Sequence, residues 1–198
     1  CAAISMVYLN ERMFLLHGES KYIDCLERTL YNGVISGMSM DGGRFFYPNP
    51  LSSDGKYAFN ADNTKTRQPW FGCACCPSNL CRFIPSVPGY LYGVKDNNIY
   101  VNLFAANTST IQVGGKDVVL EESTQYPWDG DIQIRVVKSA AKNANLLVRI
   151  PGWVQNQVLP SDLYKYSDTA KPAYIVSVNG KKVEADLAAN KGYLPVKN

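Results

Sequence analysis

The sequence has 198 residues, of which 46% are hydrophobic and 19% are charged, so it can form a packed core and does not have a disordered composition. The net charge of +3, from 20 basic and 17 acidic residues, is too small to indicate a nucleic-acid-binding surface. No apolar run approaches the roughly 20 residues that a membrane-spanning helix needs, so neither a nucleic acid nor a membrane is predicted as a partner.

Residues 1–93 are predicted to be mostly helical. The run CAAISMVYLNERMFLLHG has apolar residues near helical spacing, and Gly18 is a typical helix terminator. A second helix is predicted over residues 20–36, and the short turn between the two makes an antiparallel helical hairpin. A third helix is predicted to begin at Pro77, to be interrupted by Pro85 and Pro88, and to end at Gly93, because proline favours a first helical turn, breaks a helix further along, and glycine ends one.

The segment between the second and third predicted helices has a different period. The run DGG indicates a turn, and RFFY, at residues 44–47, is predicted to be a short strand. Residues 60–68 are polar and are predicted to form a loop.

Residues 94–198 are predicted to be all-β. Six short runs alternate apolar and polar residues, in the order NNIYVNLF, STIQVGG, KDVVLEES, GDIQIRVVK, NANLLVRIPGW and AYIVSVNGKKVEA. Gly114-Gly115 and Asn179-Gly180 are typical of hairpin turns, and residues 155–171 form a polar insertion. Many short antiparallel strands predict a β-sandwich or jelly roll.

We expect the chain to be a fragment of a longer protein. Cys1 opens directly into a helical run with no N-cap before it, and the closing run KGYLPVKN stops at what is predicted to be the start of a strand. Residues outside the chain are therefore expected to contribute to its function.

A cluster of cysteines is the strongest chemical signal in the sequence. The six cysteines are Cys1, Cys25, Cys73, Cys75, Cys76 and Cys81. A disulfide framework fits poorly, because the chain is long enough for a core and keeps its cysteines in one half. A thiolate metal site fits better, because zinc takes Cys, His and carboxylate ligands, although the spacing is not that of a zinc finger.

Pro77 places Cys75 and Cys76 at the start of a predicted helix. The helix dipole there favours a thiolate over a thiol, and such a thiolate can be a metal ligand or a nucleophile. Cys25 and Cys81 lie within predicted helices among apolar neighbours, and we predict that they are buried, inert thiols.

Glu27 lies on the second predicted helix beside its apolar stripe. A carboxylate placed there needs a cation, a hydrogen-bond donor, a metal or a bound ligand. The alternatives are an ion pair with Arg28 or Lys21, or simple exposure at the edge of the stripe. The helical period alone slightly favours these alternatives.

Two aromatic residues are candidates for contacts with a ligand, and Trp70 could stack on a sugar ring. Tyr47 precedes a proline turn and could present its hydroxyl to a cleft, and Trp70 immediately precedes the cysteine cluster. Packing roles are the alternative for both. His17 is the single histidine, which excludes a His-based triad or a multi-histidine metal site built from this chain alone.

Several segments together resemble a known family. The segments DCLERTLYNGVISGMSMDGGRFFYPNPL and RQPWFGCACCPSNLCRFIPSVPGYLYG are similar to glycoside hydrolase family 127, whose characterised members are β-L-arabinofuranosidases. The similarity runs through the first half, where ERxLYN, FFYxNPL and CxCCPxN occur in order, and RIPGW in the β half fits the same family.

The resemblance implies an α+β chain: the last helices of an (α/α)6 barrel catalytic domain in residues 1–93, followed by an antiparallel β-sandwich in residues 94–198. It implies a zinc ion held by one glutamate and three cysteines, which map to Cys1, Cys75 and Cys76. The glutamate would lie two positions before Cys1. No catalytic role is carried over for Cys73.

The resemblance also implies a reaction and its residues. Cys75 matches the nucleophile of a retaining hydrolysis of L-arabinofuranosides by double displacement, and Glu27 and Tyr47 match residues that line the sugar site. The general acid/base glutamate would lie before Cys1, so the fragment alone is not expected to turn over substrate.

Two other classes of function remain open on the sequence. In the first, the β half is a carbohydrate-binding or scaffold module and the cysteines form a purely structural zinc site, closed by four protein ligands. In the second, the chain is a thiol–disulfide redox protein. The second is less favoured, because no CxxC lies beside a βαβ unit.

Overall fold

The computed structural model describes residues 1–50, 52–168 and 174–196. The chain divides into two compact units. Unit 1 comprises Cys1–Arg12 and Cys25–Pro88, and unit 2 comprises Met13–Asp24 and Gly89–Asn198. The predicted domains, residues 1–93 and 94–198, stay a prediction.

The first two helices form as their apolar spacing predicts. Helix α1 is Ala2–His17 and ends directly before Gly18, and α2 is Ser20–Thr29. In unit 1 the apolar core contains side chains from these helices, from the turns after α2 and from the region of the third helix. Its buried side chains are Ile4, Val7, Leu26, Leu30, Val34, Phe71, Leu80 and Phe83.

The helical path after α2 changes its winding. It continues as a π-helical turn, Leu30–Val34, and then a 3-10 turn, Ile35–Gly37. The predicted helix over residues 20–36 therefore has the right extent, but its last part is not α-helical. Asn32 and Gly33 lie in the π turn, and both residue types have low helix propensity, which weakens the regular winding here.

Residues 44–47 do not form the predicted strand. Phe45 makes isolated β-bridges with Met38 and Gln68, and the pairing does not propagate. Pro48 follows directly, and a proline has no N–H to continue a ladder, so the prediction was wrong for a local reason. The predicted loop over residues 60–68 is confirmed as a 3-10 turn and irregular backbone.

Helix α3 is Cys75–Phe83, so it begins two residues before the predicted start and ends ten residues before the predicted end. A 3-10 segment, Ile84–Tyr90, follows it. The predicted interruption at Pro85 is confirmed, because a proline has no N–H to donate to the carbonyl four residues earlier, that of Cys81. Gly93 was predicted to end this helix. That prediction was wrong, because Gly93 lies in the first strand.

Nine strands lie among the described residues, all in unit 2. They are β1 (Tyr92–Lys95), β2 (Asn98–Val101), β3 (Asn107–Val113), β4 (Lys116–Thr124), β5 (Ile132–Ser139), β6 (Asn145–Arg149), β7 (Val176–Val178), β8 (Lys181–Val183) and β9 (Tyr193–Val196). All six predicted runs and the closing strand form, whereas Ala173, at the start of the sixth run, and residues 169–171 of the insertion lie outside the described residues.

The strands form a four-stranded sheet in the order β1-β2-β6-β9, a three-stranded sheet in the order β3-β4-β5, and the hairpin β7-β8. Every pair is antiparallel except β2 with β6, which is parallel. Parallel neighbours need a long crossover, and here the whole β3-β4-β5 sheet provides it. Alternation within single strands cannot reveal such a pairing.

The two larger sheets share one core. Apolar side chains from β2, β3 and β4 meet in it, and residues of β1 and β6 pack against them; the buried members are Ile99, Ile111, Val113, Val118, Leu120 and Ala141. Both predicted hairpin turns form, because Gly114-Gly115 and Asn179-Gly180 have positive φ at both central positions, as such a turn requires.

In unit 2, the RIPGW segment contributes the arginine of an ion pair. Arg149, which is fully buried, donates from Nη1 to Asp24 Oδ1 at 2.6 Å and from Nε to the Asn102 carbonyl at 2.6 Å. The Gly152 N–H also donates to Asp24 Oδ1, at 3.2 Å, and a Cβ at Gly152 would lie 2.9 Å from Asp24 Oδ2. The segment thus supplies the buried guanidinium of Arg149, and its glycine lets the backbone lie close to the Asp24 carboxylate.

Among the residues that the structure describes, no helix combines the length and apolar character that crossing a membrane requires.

Candidate active site

The three predicted zinc ligands lie side by side in unit 1. The sulfur of Cys76 is 3.8 Å from that of Cys1, and 3.8 Å from that of Cys75. Cys1 directly precedes α1, whereas Cys75 and Cys76 open α3, so the fold joins thiols that are 75 positions apart in the chain.

The donor type and the spacing of these sulfurs fit zinc. Thiolates bound to zinc at about 2.3 Å in a tetrahedron lie about 3.8 Å from one another, which is the separation of both measured pairs. Within residues 1–50, 52–168 and 174–196 there is no group of three or more His, Cys, Asp or Glu side chains placed to hold a metal ion. The described residues therefore offer two sulfur pairs that fit zinc, and not a full ligand set.

Cys75 is the first residue of α3, as Pro77 led us to expect. The preceding residue, Ala74, makes no side-chain cap to the helix. The N–H groups of the first turn and the helix dipole therefore favour negative charge at this position. The Cys75 side chain is exposed, whereas Cys76 is half-buried.

Tyr47 completes the cluster. Its hydroxyl lies 2.8 Å from the Cys75 sulfur and donates to the Cys73 sulfur at 3.7 Å. Its ring meets that of the buried Phe71 edge-on, with 5.5 Å between the ring centres. The Tyr47 hydroxyl thus contacts the Cys75 sulfur directly, whereas its role in lining a sugar site stays a prediction.

The two adjacent cysteines have opposite electrostatics. The hydrogen bond from Tyr47, helped by hydrogen bonds from Cys76, holds the pKa of Cys75 below its ordinary value. Burial, helped by the neighbouring Cys75, raises the pKa of Cys76. The same contacts with Cys75 and Cys73 raise the pKa of the Tyr47 hydroxyl, so that it stays protonated and can donate. Of the two thiols, the exposed Cys75 is therefore the more easily ionised.

Two residues that contact Tyr47 had no predicted role. Cys73, for which no role was expected, is the second sulfur against the Tyr47 hydroxyl. Asn60 is 5% exposed and accepts the Tyr47 backbone N–H at Oδ1, at 2.7 Å. The CxC spacing signals Cys73, whereas Asn60 lies in a polar loop with no periodic pattern that could have marked it.

The remaining sequence candidates have mixed outcomes. Glu27 is 5% exposed, so exposure at the edge of the stripe was wrong, and Lys21 pairs with Glu19 at 2.5 Å. Trp70 is 60% exposed. The sugar-binding roles of Glu27 and Trp70 stay predictions.

The predicted burial of two other thiols is not confirmed. Cys81 is exposed and Cys25 is half-buried. Cys81 lies on α3 with the candidate nucleophile, on the solvent side of a short helix.

Comparison with known proteins decides the family. Residues 1–89 match the β-L-arabinofuranosidase catalytic domain of glycoside hydrolase family 127 (GH127), and residues 98–198 match the GH127 middle domain. The chain belongs to glycoside hydrolase family 127. The family resemblance expected from the sequence is thereby confirmed.

Individual GH127 relatives cover the whole chain. A non-reducing end β-L-arabinofuranosidase of Bifidobacterium longum subsp. longum is 32% identical over 99% of the chain and 28% of its own length. The solved structure of a GH127 β-arabinofuranosidase is 56% identical, with a TM-score of 0.90, over 100% of the chain and 30% of its own. That of a GH127 β-L-arabinofuranosidase from Geobacillus stearothermophilus is 36% identical, with a TM-score of 0.81, over 100% and 29%.

The chain thus spans under a third of the length of these GH127 relatives. The structural match confirms the predicted fold class, α+β with barrel helices followed by a largely antiparallel β domain.

Proposed function

We propose that the complete polypeptide that carries this chain is a retaining β-L-arabinofuranosidase with Cys75 as its nucleophile. Membership of GH127 and the names of the relatives support a glycoside hydrolase that acts on an arabinofuranoside. The observation that carries the assignment of the nucleophile is the 2.8 Å contact between the Tyr47 hydroxyl and the exposed Cys75 sulfur at the start of α3.

Cys75 suits a nucleophile better than its neighbour does. A nucleophile needs to be ionised near neutral pH and open to the substrate. Cys75 has a lowered pKa and an exposed side chain, whereas Cys76 is half-buried and has a raised pKa. The same exposure favours a catalytic thiolate over the alternative of a closed structural zinc site, in which the sulfurs face only the metal.

The reaction proceeds in two displacements. The Cys75 thiolate attacks the anomeric carbon as the bond from that carbon to the leaving oxygen breaks, and a general acid protonates that oxygen. The resulting thioglycosyl bond to Cys75 is then broken by water, which the same group deprotonates as general base. That acid/base is the glutamate that the family resemblance expects outside this chain. Two displacements retain the anomeric configuration.

Cys1, Cys75 and Cys76 would hold a zinc ion, together with the expected glutamate. When bound, zinc favours the ionised form of its cysteine ligands. Tyr47 acts on the same sulfur by hydrogen bonding, so its hydroxyl both supports the thiolate and lies where a sugar hydroxyl would approach. Glu27 and Trp70 are proposed to hold the sugar by a hydrogen bond and by ring stacking.

The test compares two cysteine variants of the complete polypeptide. Cys75→Ser should lose turnover on a chromogenic β-L-arabinofuranoside by at least about 1,000-fold, because a serine hydroxyl is not ionised at neutral pH. Cys81→Ser is the matched control, since Cys81 is an exposed thiol on the same helix, and it should keep full activity.

Covalent labelling and metal content complete the test. An iodoacetyl arabinofuranoside analogue should label wild type at Cys75, as read from peptide masses, and should not label Cys75→Ser. Wild-type protein should contain about one zinc per chain. Full activity in Cys75→Ser would overturn the proposal, whereas one zinc with a Cys75 that resists labelling would support a structural zinc site.

A further inference from the structure

We propose that Asn60 is a positioning residue for the reaction, because it holds the Tyr47 backbone so that the Tyr47 hydroxyl stays in contact with the Cys75 sulfur. This inference rests on the proposed function. Asn60 does not touch the sulfur itself and acts through Tyr47.

The side chain of Asn60 joins two backbone segments. Its Oδ1 accepts from the Tyr47 N–H at 2.7 Å, and its Nδ2 donates to the Thr66 carbonyl at 3.0 Å. The residue is only 5% exposed, so water does not readily replace either bond. The amide thereby ties the chain at Tyr47 to the polar loop that follows.

The loop has hydrogen bonds of its own and does not need this side chain to close. The Asn60 N–H donates to the Thr64 carbonyl at 3.0 Å, and the Thr64 hydroxyl donates to the Ala61 carbonyl at 3.1 Å. The turn between them is made by Asp62 and Asn63, which both have positive φ. The Asn60 amide is therefore available to hold a neighbouring segment.

The backbone at Tyr47 lies beyond the pairing that holds the preceding part of its segment. Phe45 exchanges two backbone hydrogen bonds with Gln68, at 2.9 Å each, but this pairing does not continue. Pro48 has no N–H, so the Tyr47 N–H is the last backbone donor before the chain turns, and Asn60 accepts it. The residue that carries the hydroxyl is thus held by a buried amide and by its ring contact with Phe71.

Loss of this support should move the hydroxyl relative to Cys75. Hydrogen bonds weaken steeply with distance and angle, and a displacement of about 1 Å in a catalytic constellation can lower a rate about 100-fold. We expect Asn60→Ala to lower kcat/KM by about 10- to 100-fold. Asn60→Asp keeps an oxygen acceptor for the Tyr47 N–H and should lie closer to wild type.

A double-mutant cycle in the complete polypeptide tests the route through Tyr47. The variants are Asn60→Ala, Tyr47→Phe and both together, with Asn32→Ala as the control. Asn32 is exposed, and its side chain donates to the carbonyl one helical turn earlier, that of Arg28, so this variant should match wild type. If Asn60 acts through the hydroxyl, the double variant should be no slower than Tyr47→Phe alone.

Two readouts keep the cycle interpretable. The first is kcat/KM on a chromogenic arabinofuranoside, and the second is the rate at which iodoacetamide alkylates Cys75 at fixed pH, read from peptide masses. Circular dichroism melting of each variant checks that it is folded. A merely structural role for Asn60 would lower the melting temperature without slowing alkylation of the folded protein.

The outcomes separate this inference from the proposed function. Full activity in Cys75→Ser would refute the proposed function. An inactive Cys75→Ser combined with effects of Asn60→Ala and Tyr47→Phe that multiply would refute the inference alone. An Asn60→Asp variant that folds but is as slow as Asn60→Ala would also refute it, because the acceptor for Tyr47 would then not matter.

Discussion

Replacing Glu122 with glutamine should stabilise unit 2 at alkaline pH and change it little at acidic pH. Glu122 lies on β4 and is 2% exposed. Its Oε2 accepts from the Tyr92 hydroxyl at 3.2 Å and from Asn107 Nδ2 at 3.4 Å, whereas its Oε1 is buried without a hydrogen-bond partner. A buried carboxylate with one unpartnered oxygen is costly to ionise.

The magnitude follows from the pKa of this group. Burial raises the pKa of Glu122 from 4.5 to about 7, against the weaker effect of the hydrogen bond from Tyr92. Between about pH 4.5 and 7 the folded chain keeps the proton that the unfolded chain releases, so the free energy of unfolding falls as the pH rises. At about 1.4 kcal/mol for each pH unit, the loss by pH 8 is about 3 kcal/mol. Tyr92, whose pKa burial raises to about 12, stays a neutral donor throughout.

Urea unfolding at pH 5 and at pH 8 measures the effect. The free energy of unfolding of Glu122→Gln minus that of wild type should be more positive at pH 8 than at pH 5, by about 2 to 3 kcal/mol. Glu121→Gln is the matched control, because Glu121 is the next residue on β4, is partly exposed and pairs with Arg135. Its effect should stay within about 1 kcal/mol at both values. A difference for Glu122→Gln that does not change with pH would refute this reasoning.

Three further predictions use the same structure. Arg149→Met should lower the free energy of unfolding by about 3 to 5 kcal/mol in urea, because it leaves the Asp24 carboxylate without its buried partner. Gly192→Ala should lower the melting temperature measurably, because φ there is +84° and the new Cβ would collide with Ser20 Oγ; an unchanged melting temperature would contradict the close approach of these two segments. The lowered pKa of Cys75 means that its thiolate is populated at lower pH than in a free cysteine, so its alkylation rate should reach half-maximum at a lower pH than that of free cysteine in the same buffer.

Local features of this chain were predictable because they depend on neighbours in the sequence. Gly114-Gly115 and Asn179-Gly180 adopt the positive φ values that their hairpins need, and α1 ends directly before Gly18. Pro77 correctly indicated that a helix begins beside Cys75. Each of these features follows from steric limits on a few adjacent residues.

An error arose where adjacent signals compete. RFFY has strand-forming residues, but Pro48 stops the ladder that would have made it a strand. A proline also interrupts the third helix, and there the sequence predicted the interruption correctly: the α-helical part ends before Pro85. In both cases a missing N–H or a steric clash at one proline outweighed a favourable pattern.

The sequence alone determined the class of the chain, its family and the residue types of the candidate site, because periodicity, turn chemistry and the CxCCPxN motif are all local. Tertiary structure alone decided that the sulfurs of Cys1 and Cys76 lie 3.8 Å apart, that Asn60 accepts the Tyr47 N–H, and that β2 pairs with β6 in parallel. These arrangements join positions from 13 to 75 residues apart. The stability of these arrangements depends on burial and on contacts between distant segments. Neither can be read from a single stretch of the sequence.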